Sequence, residues 1–359
     1  MPHKFILSGG GTGGHIFPAL AIAKCLREKY PDCEILFIGA NNRMEMEKVP
    51  QEGFEIVGLD VAGLKRSLSL ANFSVIFKFT KSYFKAKYIL NKIKPDCVIG
   101  TGGYASLAVL YAASKNRNPT VIWEGNGHAG LTNKILGKKA TTICTGFPGM
   151  EKFFPKDKIA FTGNPVREEI LNVPNKEVGC AFFDLDPQKP TLFITGGSLG
   201  ARTINNCIQE GLHFFSEAGV QVIWQTGKTF DATIPETNGI KCMPFLREMK
   251  MGYAAADLVI SRAGAISIAE IAVAGKAAIL VPSPNVTDDH QTQNALKLIE
   301  IKAAVLIRDA DAGKTLVKQA IALIKDKEKL QLMRKNIQQI AKPNATENIV
   351  KEIIKIISK

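Results

Sequence analysis

The chain alternates short apolar runs with segments of helical period. KFILSG (4–9), EILFIG (34–39), DCVIG (96–100), TVIWE (120–124), TTICTG (141–146) and IAFTG (159–163) each give way to glycine or turn residues. Helical spacing lies between several of them, over 17–29, 72–93 and 104–115. The alternation restarts after a proline-containing stretch, with TLFITGG (191–197), QVIWQTG (221–227), DLVIS (257–261), AAILVP (277–282) and AAVLI (303–307). Helices are predicted around these at 201–218, 265–274, 290–300 and 315–325. Short runs rich in β-branched and aromatic residues, separated by helical periods, predict parallel sheets covered by helices on both faces.

The two halves open alike: FILSGG and LFITGG are each a strand that ends in a glycine loop leading into a helix. The pattern therefore predicts an α/β protein of two Rossmann-like domains whose parallel sheets face each other across a cleft. A length of 359 residues allows two cores. The linker is predicted within GNPVREEILNVPNKE (163–177), which gives domains 1–165 and 166–343. The tail 344–359 follows Pro343 and spaces Ile349, Ile353, Ile354, Ile356 and Ile357 as an amphipathic helix, expected to pack back on the first domain.

Composition narrows the class. Hydrophobic residues make up 46% and charged residues 22%, which suits a folded soluble protein. The seven cysteines are scattered and never form a CxxC pair, so reduced thiols are expected and neither a disulfide framework nor a zinc site. No signal peptide and no 18-residue apolar span are legible, and a cytoplasmic location is expected.

The net charge of +13 is uneven: residues 1–165 carry 22 Lys and Arg against 12 Asp and Glu. Between Asp60 and Asp96 there is no acid at all. Read as a helix from about 72 to 93, this segment sets Lys78, Lys81, Lys85 and Lys92 along one stripe, with Phe73, Ile76, Phe77, Phe79, Tyr83, Phe84 and Tyr88 crowding the rest. It reads either as a core helix with a solvated lysine face or as a surface that meets anionic lipid, with Lys78, Lys81 and Lys85 as the contacts. No nucleic-acid motif accompanies the charge, and nucleic acid is not expected as a partner.

The stretch SGGGTGGHIFPAL (8–20) satisfies the dinucleotide fingerprint at Gly9, Gly11 and Gly14. A nicotinamide enzyme also needs an acid near the end of the second strand, where this chain has Ala40-Asn41-Asn42. No Lys-Ser/Thr follows the glycines, so the loop is not a Walker site either. What remains is a set of peptide N–H groups at a helix start, suited to an anion or a close-lying ligand. GTGGYAS (100–106) and GGSLGAR (196–202) repeat the arrangement. Three such loops are either plain strand-to-helix turns or a site for a diphosphate and two bulky partners. In SRAGAISIAE (261–270), Glu270 follows a tight turn and can accept from a ribose diol. DDHQTQNA (288–295) reads equally as a cluster for sugar hydroxyls or as a helix start capped by Thr287 or Asp288.

GGGTGGHIFPAL, GTGGYAS, EGNGHAGLTNKIL (124–136), GNPVR (163–167), GGSLGAR, SRAGAISIAE and DDHQTQNA, in this order and spacing, resemble the MurG family. These are the transferases that move GlcNAc from UDP-GlcNAc to lipid I, giving lipid II in peptidoglycan and cell-wall synthesis. The resemblance spans essentially the whole chain. It implies a GT-B glycosyltransferase with the donor held mainly by the second domain and the acceptor lipid by the first. It also implies a peripheral protein on the cytoplasmic side of the bacterial inner membrane, with UDP-GlcNAc, lipid I, the anionic membrane surface and other cell-wall synthesis proteins as partners.

Carried onto this chain, the family's donor contacts fall on Thr12, Gly13, Gly14, Asn126, Arg167, Ser198, Leu246, Ala265, Ile266, Ser267, Ile268, Ala269, Glu270 and Gln291. Arg167 and Ser198 would face the diphosphate, Glu270 the ribose, the backbone near Leu246 the uracil, and Gln291, with His290, the sugar. Gly102, Gly103 and Tyr104 are assigned to the acceptor. His15 matches the family's glycine-loop histidine, either general base or positioning group, and Glu124 is a second catalytic candidate. One departure stands out: the family's His-Glu-Gln-Asn is here Trp123-Glu124-Gly125-Asn126.

The implied chemistry is attack of the acceptor 4-hydroxyl on the anomeric carbon with loss of UDP and inversion, which needs a base and stabilisation of the diphosphate. No metal and no other cofactor is expected: Asp184-Leu-Asp186 and Asp309-Ala-Asp311 read as surface turns away from the glycine loops, leaving the diphosphate to helix dipoles and Arg167. The alternatives are a UDP-GlcNAc 2-epimerase of the same fold, a nicotinamide oxidoreductase, and a non-catalytic basic binder.

Overall fold

The structure is a computed structural model that describes residues 2–61, 71–230 and 239–358. It divides into two compact units, Met1–Pro165 with Asn344–Lys359, and Val166–Pro343.

The first unit runs β1 (Lys4–Gly9), α1 (Gly13–Lys29), β2 (Glu34–Ala40), α2 (Glu45–Gln51), β3 (Glu55–Leu59), α3 (Ala71–Ile93), β4 (Cys97–Gly102), α4 (Tyr104–Lys115), β5 (Thr120–Glu124), α5 (Leu131–Gly137), β6 (Thr142–Thr145) and β7 (Ile159–Phe161). Its sheet is parallel in the order β3-β2-β1-β4-β5-β6-β7. Every residue of the central strands β4 and β5 is buried, which is why their sequences are apolar without alternation. On one face Ile6, Val98, Ile122 and Ile143 pack against the buried sides of α3 and α4.

The second unit runs α6 (Lys176–Phe182), β8 (Thr191–Thr195), α7 (Arg202–Glu217), β9 (Gln221–Gln225), β10 (Ile240–Met243), α8 (Met249–Ala255), β11 (Leu258–Ser261), α9 (Ala265–Val273), β12 (Ala277–Leu280), α10 (His290–Glu300), β13 (Ala304–Leu306), α11 (Ala312–Lys325) and α12 (Lys327–Ile337). Its parallel sheet has the order β10-β9-β8-β11-β12-β13. The last helix, α13 (Ala345–Ile357), returns to the first unit and packs on α1, burying Ala345, Ile349, Val350 and Ile353.

In both sheets the strand order therefore reverses once, between β1 and β4 and between β8 and β11. In such sheets ligands gather beyond the carboxyl ends of the strands at this reversal. The loops there are the glycine stretches 9–14, 102–103, 196–201 and 262–264.

Three local expectations change. The helix predicted from residue 17 begins at Gly13, so Gly13, Gly14 and His15 form its first turn rather than a loop. The helix propensity cost of glycine does not prevent this, because first-turn N–H groups have no intrahelical partner to lose. Neither β3 nor β10 is predicted by an apolar run. Of the basic segment 61–95, residues 62–70 lie outside the described residues, as do the side chains of Phe73 and Ile76.

Candidate functional site

In the first unit the two glycine loops are joined through backbone. Gly10 N–H donates to the Gly102 carbonyl at 3.3 Å. A Cβ at Gly103 would stand 2.5 Å from the Gly10 carbonyl oxygen, and Gly102 and Gly103 both have positive φ (108° and 90°). These positions admit only glycine. His15 is tethered across the same junction: Nδ1 lies 2.8 Å from the Thr101 carbonyl, and Thr101 Oγ1 donates to the His15 carbonyl at 2.8 Å. A carbonyl only accepts, so the neutral imidazole carries its proton on Nδ1 and its lone pair on Nε2. Thr12 is the exposed N-cap of α1 and makes no side-chain capping bond. Tyr104 opens α4 with about half of its surface exposed.

Glu45 belongs to none of the sequence motifs, yet it holds this junction. It is fully buried. Its carboxylate accepts from Gly11 N–H through both oxygens (3.2 and 3.0 Å) and from Ala40 N–H at 3.0 Å. A side chain at Gly10 would collide with that carboxylate. The acid missing from the end of β2 is thus supplied five residues later, from the start of α2, and it binds the loop itself.

Glu124, at the end of β5, has the same role in the loop that follows it. It is buried, and its Oε1 accepts from Asn126 N–H (3.0 Å) and Asn126 Nδ2 (3.4 Å). Its Oε2 accepts from Gly130 N–H (2.9 Å) and Asn133 Nδ2 (3.0 Å). Both carboxylate oxygens of Glu124 are engaged, and Oε1 holds Asn126 through its N–H and its side-chain amide.

In the second unit, Glu270 lies in α9 and is bound by Arg167 in a bidentate pair, Nε to Oε1 at 2.7 Å and Nη2 to Oε2 at 2.6 Å. Tyr253 OH donates to Oε2 at 3.3 Å. Burial, then the adjacent Glu270 charge, push the phenol well above its ordinary range, so it stays protonated and remains a donor. Burial opposes the Arg167 charge, but the Glu270 bond and charge outweigh it and raise its pKa. The Glu270 side chain is 5% exposed and that of Arg167 45%. The two residues expected to serve ribose and diphosphate therefore hold each other.

Ser198 is exposed on the loop that enters α7. That loop is pinned by Gln225 Nε2, which donates to Thr195 Oγ1 and to the Gly197 carbonyl, both at 3.1 Å. The oxygen of the same amide accepts from Leu246 N–H at 3.0 Å, so Leu246 is buried with its N–H already used. Phe245 beside it is 46% exposed and stands outside every sequence motif. Ala265, Ile266, Ser267, Ile268 and Ala269 form the first turns of α9, whose N-cap is Gly264. Gln291 Oε1 accepts from Ser283 N–H at 2.8 Å.

Two readings are corrected here. The N-cap position of α10 falls on Asp289, at φ 47°, one residue after Asp288 at φ 56°. Asp309 is not a solvent turn. Arg262 Nη1 donates to its Oδ1, and Thr203 Oγ1, in the first turn of α7 beyond the glycine loop, donates to Oδ2 at 2.9 Å. Arg262 Nη1 also donates to the carbonyls of Val281 and Pro282, at 3.0 and 3.1 Å.

On α3, Phe77, Phe84 and Tyr88 are 72%, 62% and 68% exposed beside Lys78, Lys81 and Lys85. Val75, Ser82, Ala86 and Leu90 supply the buried side. Lys85 Nζ donates to the Gly58 carbonyl at 2.8 Å, and Lys81 lies 3.7 Å from Asp60. No described helix is long and apolar enough to cross a membrane.

Residues 5–145 match the glycosyltransferase family 28 N-terminal domain, and residues 191–352 the family's C-terminal domain. A UDP-N-acetylglucosamine—N-acetylmuramyl-(pentapeptide) pyrophosphoryl-undecaprenol N-acetylglucosamine transferase of Cytophaga hutchinsonii is 49% identical, covering 99% of this chain and 98% of its own. The crystal structure of Acinetobacter baumannii MurG is similar with a TM-score of 0.82 and 30% identity, covering 99% of this chain and all of the other. A UDP-N-acetylglucosamine 2-epimerase shares the fold at a TM-score of 0.63 and 13% identity, with 99% and 96% covered.

Proposed function

The chain belongs to the MurG family within glycosyltransferase family 28, and on that premise we infer that it transfers GlcNAc from UDP-GlcNAc to the N-acetylmuramyl sugar of a polyprenyl diphosphate lipid. It is an N-acetylglucosaminyltransferase of GT-B architecture, built from two Rossmann-like units. The epimerase shares the fold alone, so that reading falls behind. The observation that carries the mechanism is the contact of His15 Nδ1 with the Thr101 carbonyl at 2.8 Å. Its Nδ1–H is spent on the Thr101 carbonyl, which leaves Nε2 as the basic nitrogen at a helix start beside the glycine junction.

In the proposed step, the acceptor 4-hydroxyl attacks the anomeric carbon while His15 Nε2 takes its proton. The bond to the diphosphate oxygen breaks, and α becomes β. Arg167, Ser198 and the first peptide N–H groups of α7 receive the charge on the departing UDP. Glu270 receives the ribose hydroxyls, for which Arg167 must first let go of its oxygens. Leu246, its N–H committed to Gln225, would read uracil through its carbonyl. Gln291 has its oxygen on Ser283 and its amide N–H groups for the sugar. Ala265 to Ala269 line the donor as the first turns of α9. In the first unit, Thr12, Gly13, Gly14 and Asn126 are further donor contacts, and Gly102, Gly103 and Tyr104 serve the acceptor.

Peripheral attachment to the cytoplasmic face of the cell membrane is included in the same proposal, since the acceptor is a lipid. Exposed Phe77, Phe84 and Tyr88 interleaved with Lys78, Lys81 and Lys85 support it. Each lysine near an anionic surface contributes about 1 kcal/mol. Contacts with other cell-wall proteins rest on the family resemblance alone. The test is UDP release from UDP-GlcNAc with and without a polyprenyl-diphosphate-MurNAc-pentapeptide acceptor. Release that depends on acceptor supports the reading; release of free sugar without acceptor overturns it.

A further inference from the structure

Trp123 and Gly125 flank Glu124 where β5 gives way to its loop, and the structure ties them together. Trp123 lies next to the end of β5 and is buried. A Cβ placed on Gly125 would strike the indole, coming closest to Cη2 and standing 2.6 Å from Cζ2 and 3.2 Å from Cζ3. Gly125 is not among the glycines with positive φ, so backbone conformation does not demand it. The indole does. The six-membered ring occupies the volume into which any side chain at 125 would project, and a rigid buried ring cannot step aside cheaply.

The loop that follows is fixed in every other direction by hydrogen bonds. Glu124 Oε1 takes Asn126 N–H and Nδ2, at 3.0 and 3.4 Å. Asn164 Nδ2 donates to the Gly125 carbonyl at 2.9 Å. Asn133 Nδ2 donates to the Trp123 carbonyl at 3.2 Å and to Glu124 Oε2 at 3.0 Å. On the side where a Gly125 side chain would project, the indole of Trp123 stands against this backbone. Trp123 Nε1 is buried with no hydrogen-bond partner among the described residues.

We propose that Trp123 is a positioning residue for Asn126, acting as one unit with Gly125: the indole is the wall against which the Asn126 loop is set. The inference rests on the donor contact proposed above for Asn126. It predicts that the two positions can be exchanged together but not singly.

Four full-length proteins test it: wild type, Gly125→Ala, Trp123→Phe and the double variant. Each is measured for KM and kcat with UDP-GlcNAc and lipid acceptor, and for melting midpoint. Gly125→Ala is expected to raise KM roughly tenfold, because one methyl overpacks the wall. Trp123→Phe removes the atoms in the way and the unpaired N–H. It is expected to raise KM by about threefold while leaving the melting midpoint near wild type, which a purely structural role would not do. The double variant is expected to return to within about threefold of wild type, because the phenyl ring leaves room for the methyl. Single-variant effects that multiply in the double variant, or a wild-type KM in Gly125→Ala, overturn the proposal. A wild type without acceptor-dependent transfer would instead remove the functional reading. The melting midpoints would still decide the coupling: rescue in the double variant supports it, and additive losses refute it.

Discussion

Glu45, Glu124, Glu270 and Asp309 are buried or half-buried carboxylates, and the two units satisfy them differently. In the first unit, Glu45 accepts only peptide N–H groups, and Glu124 accepts peptide N–H groups and the side-chain amides of its own loop. In the second unit, Glu270 and Asp309 are held chiefly by arginine side chains, with a tyrosine and a threonine hydroxyl in support. A carboxylate bound by backbone cannot change partners without moving the chain. One bound by a long, partly exposed arginine can exchange that arginine for a ligand at small cost. The first unit is therefore a fixed frame for the proposed base, and the second contains a pair that a donor bound as proposed would have to open.

The largest effect that would test this contrast is on chemistry. His15→Ala should lower kcat by about 10²- to 10⁴-fold, the usual value of a general base, while UDP affinity by calorimetry stays within a few-fold. Unchanged turnover would remove His15 from the reaction.

Next in size is the frame itself. Glu45→Ala leaves the Gly11 and Ala40 N–H groups without their acceptor and should cost about 3 kcal/mol in denaturant unfolding. A loss below about 0.5 kcal/mol would show that the frame does not depend on it.

Glu270→Gln should do the opposite. It should raise KM for UDP-GlcNAc roughly tenfold but cost less than about 1 kcal/mol of stability, because the Arg167 side chain is 45% exposed and can turn to water. A large loss of stability without a KM effect would make Arg167–Glu270 a framework pair and erase the contrast.

The most gradual effect, spread over about two pH units, concerns Lys276, a buried charge of the second unit. Burial, then the nearby Arg334, lower its pKa from 10.5 to about 8. Its Nζ donates to the Ala254 and Ala256 carbonyls at 3.3 and 2.9 Å. Between pH 8 and 10.5 the unfolded chain binds more protons here than the folded one, so this group's penalty is complete below pH 8 and fades as pH rises. Wild type should accordingly gain about 1–3 kcal/mol on Lys276→Met from about pH 8 to 10, measured by paired urea titrations. A constant difference would contradict the burial penalty.

The fold was legible where burial is two-sided. Central strands such as CVIGTG and TVIWE announce themselves by apolar runs, and the glycine ends of β1 and β4 lie at the sheet reversal. The two strands without such a run are edges. EIVGL (β3) and IKCM (β10) are only partly buried, so charge and glycine interrupt them. Candidates on continuous motifs, such as His15, Ser198 and Glu270, could be proposed from the sequence. Glu45 could not, because nothing near it in the chain reveals that α2 folds its carboxylate under a loop more than thirty residues earlier. Glu124 was visible, but its surroundings were not: the four donors around it come from residues whose meeting only the fold reveals. The reason for Gly125 was equally hidden, since it lies in the shape of Trp123 rather than in backbone conformation.

The most direct test of the contrast between units is to follow the Arg167 Nε–H signal by nitrogen-15 NMR while UDP is added, with the signal assigned through Arg167→Lys. If the second unit opens its pair for the donor, that signal moves and saturates with UDP binding, as carboxylate is exchanged for phosphate. A signal that stays at its ligand-free position while UDP saturates the protein would mean that Arg167 never leaves Glu270, and the account would be wrong.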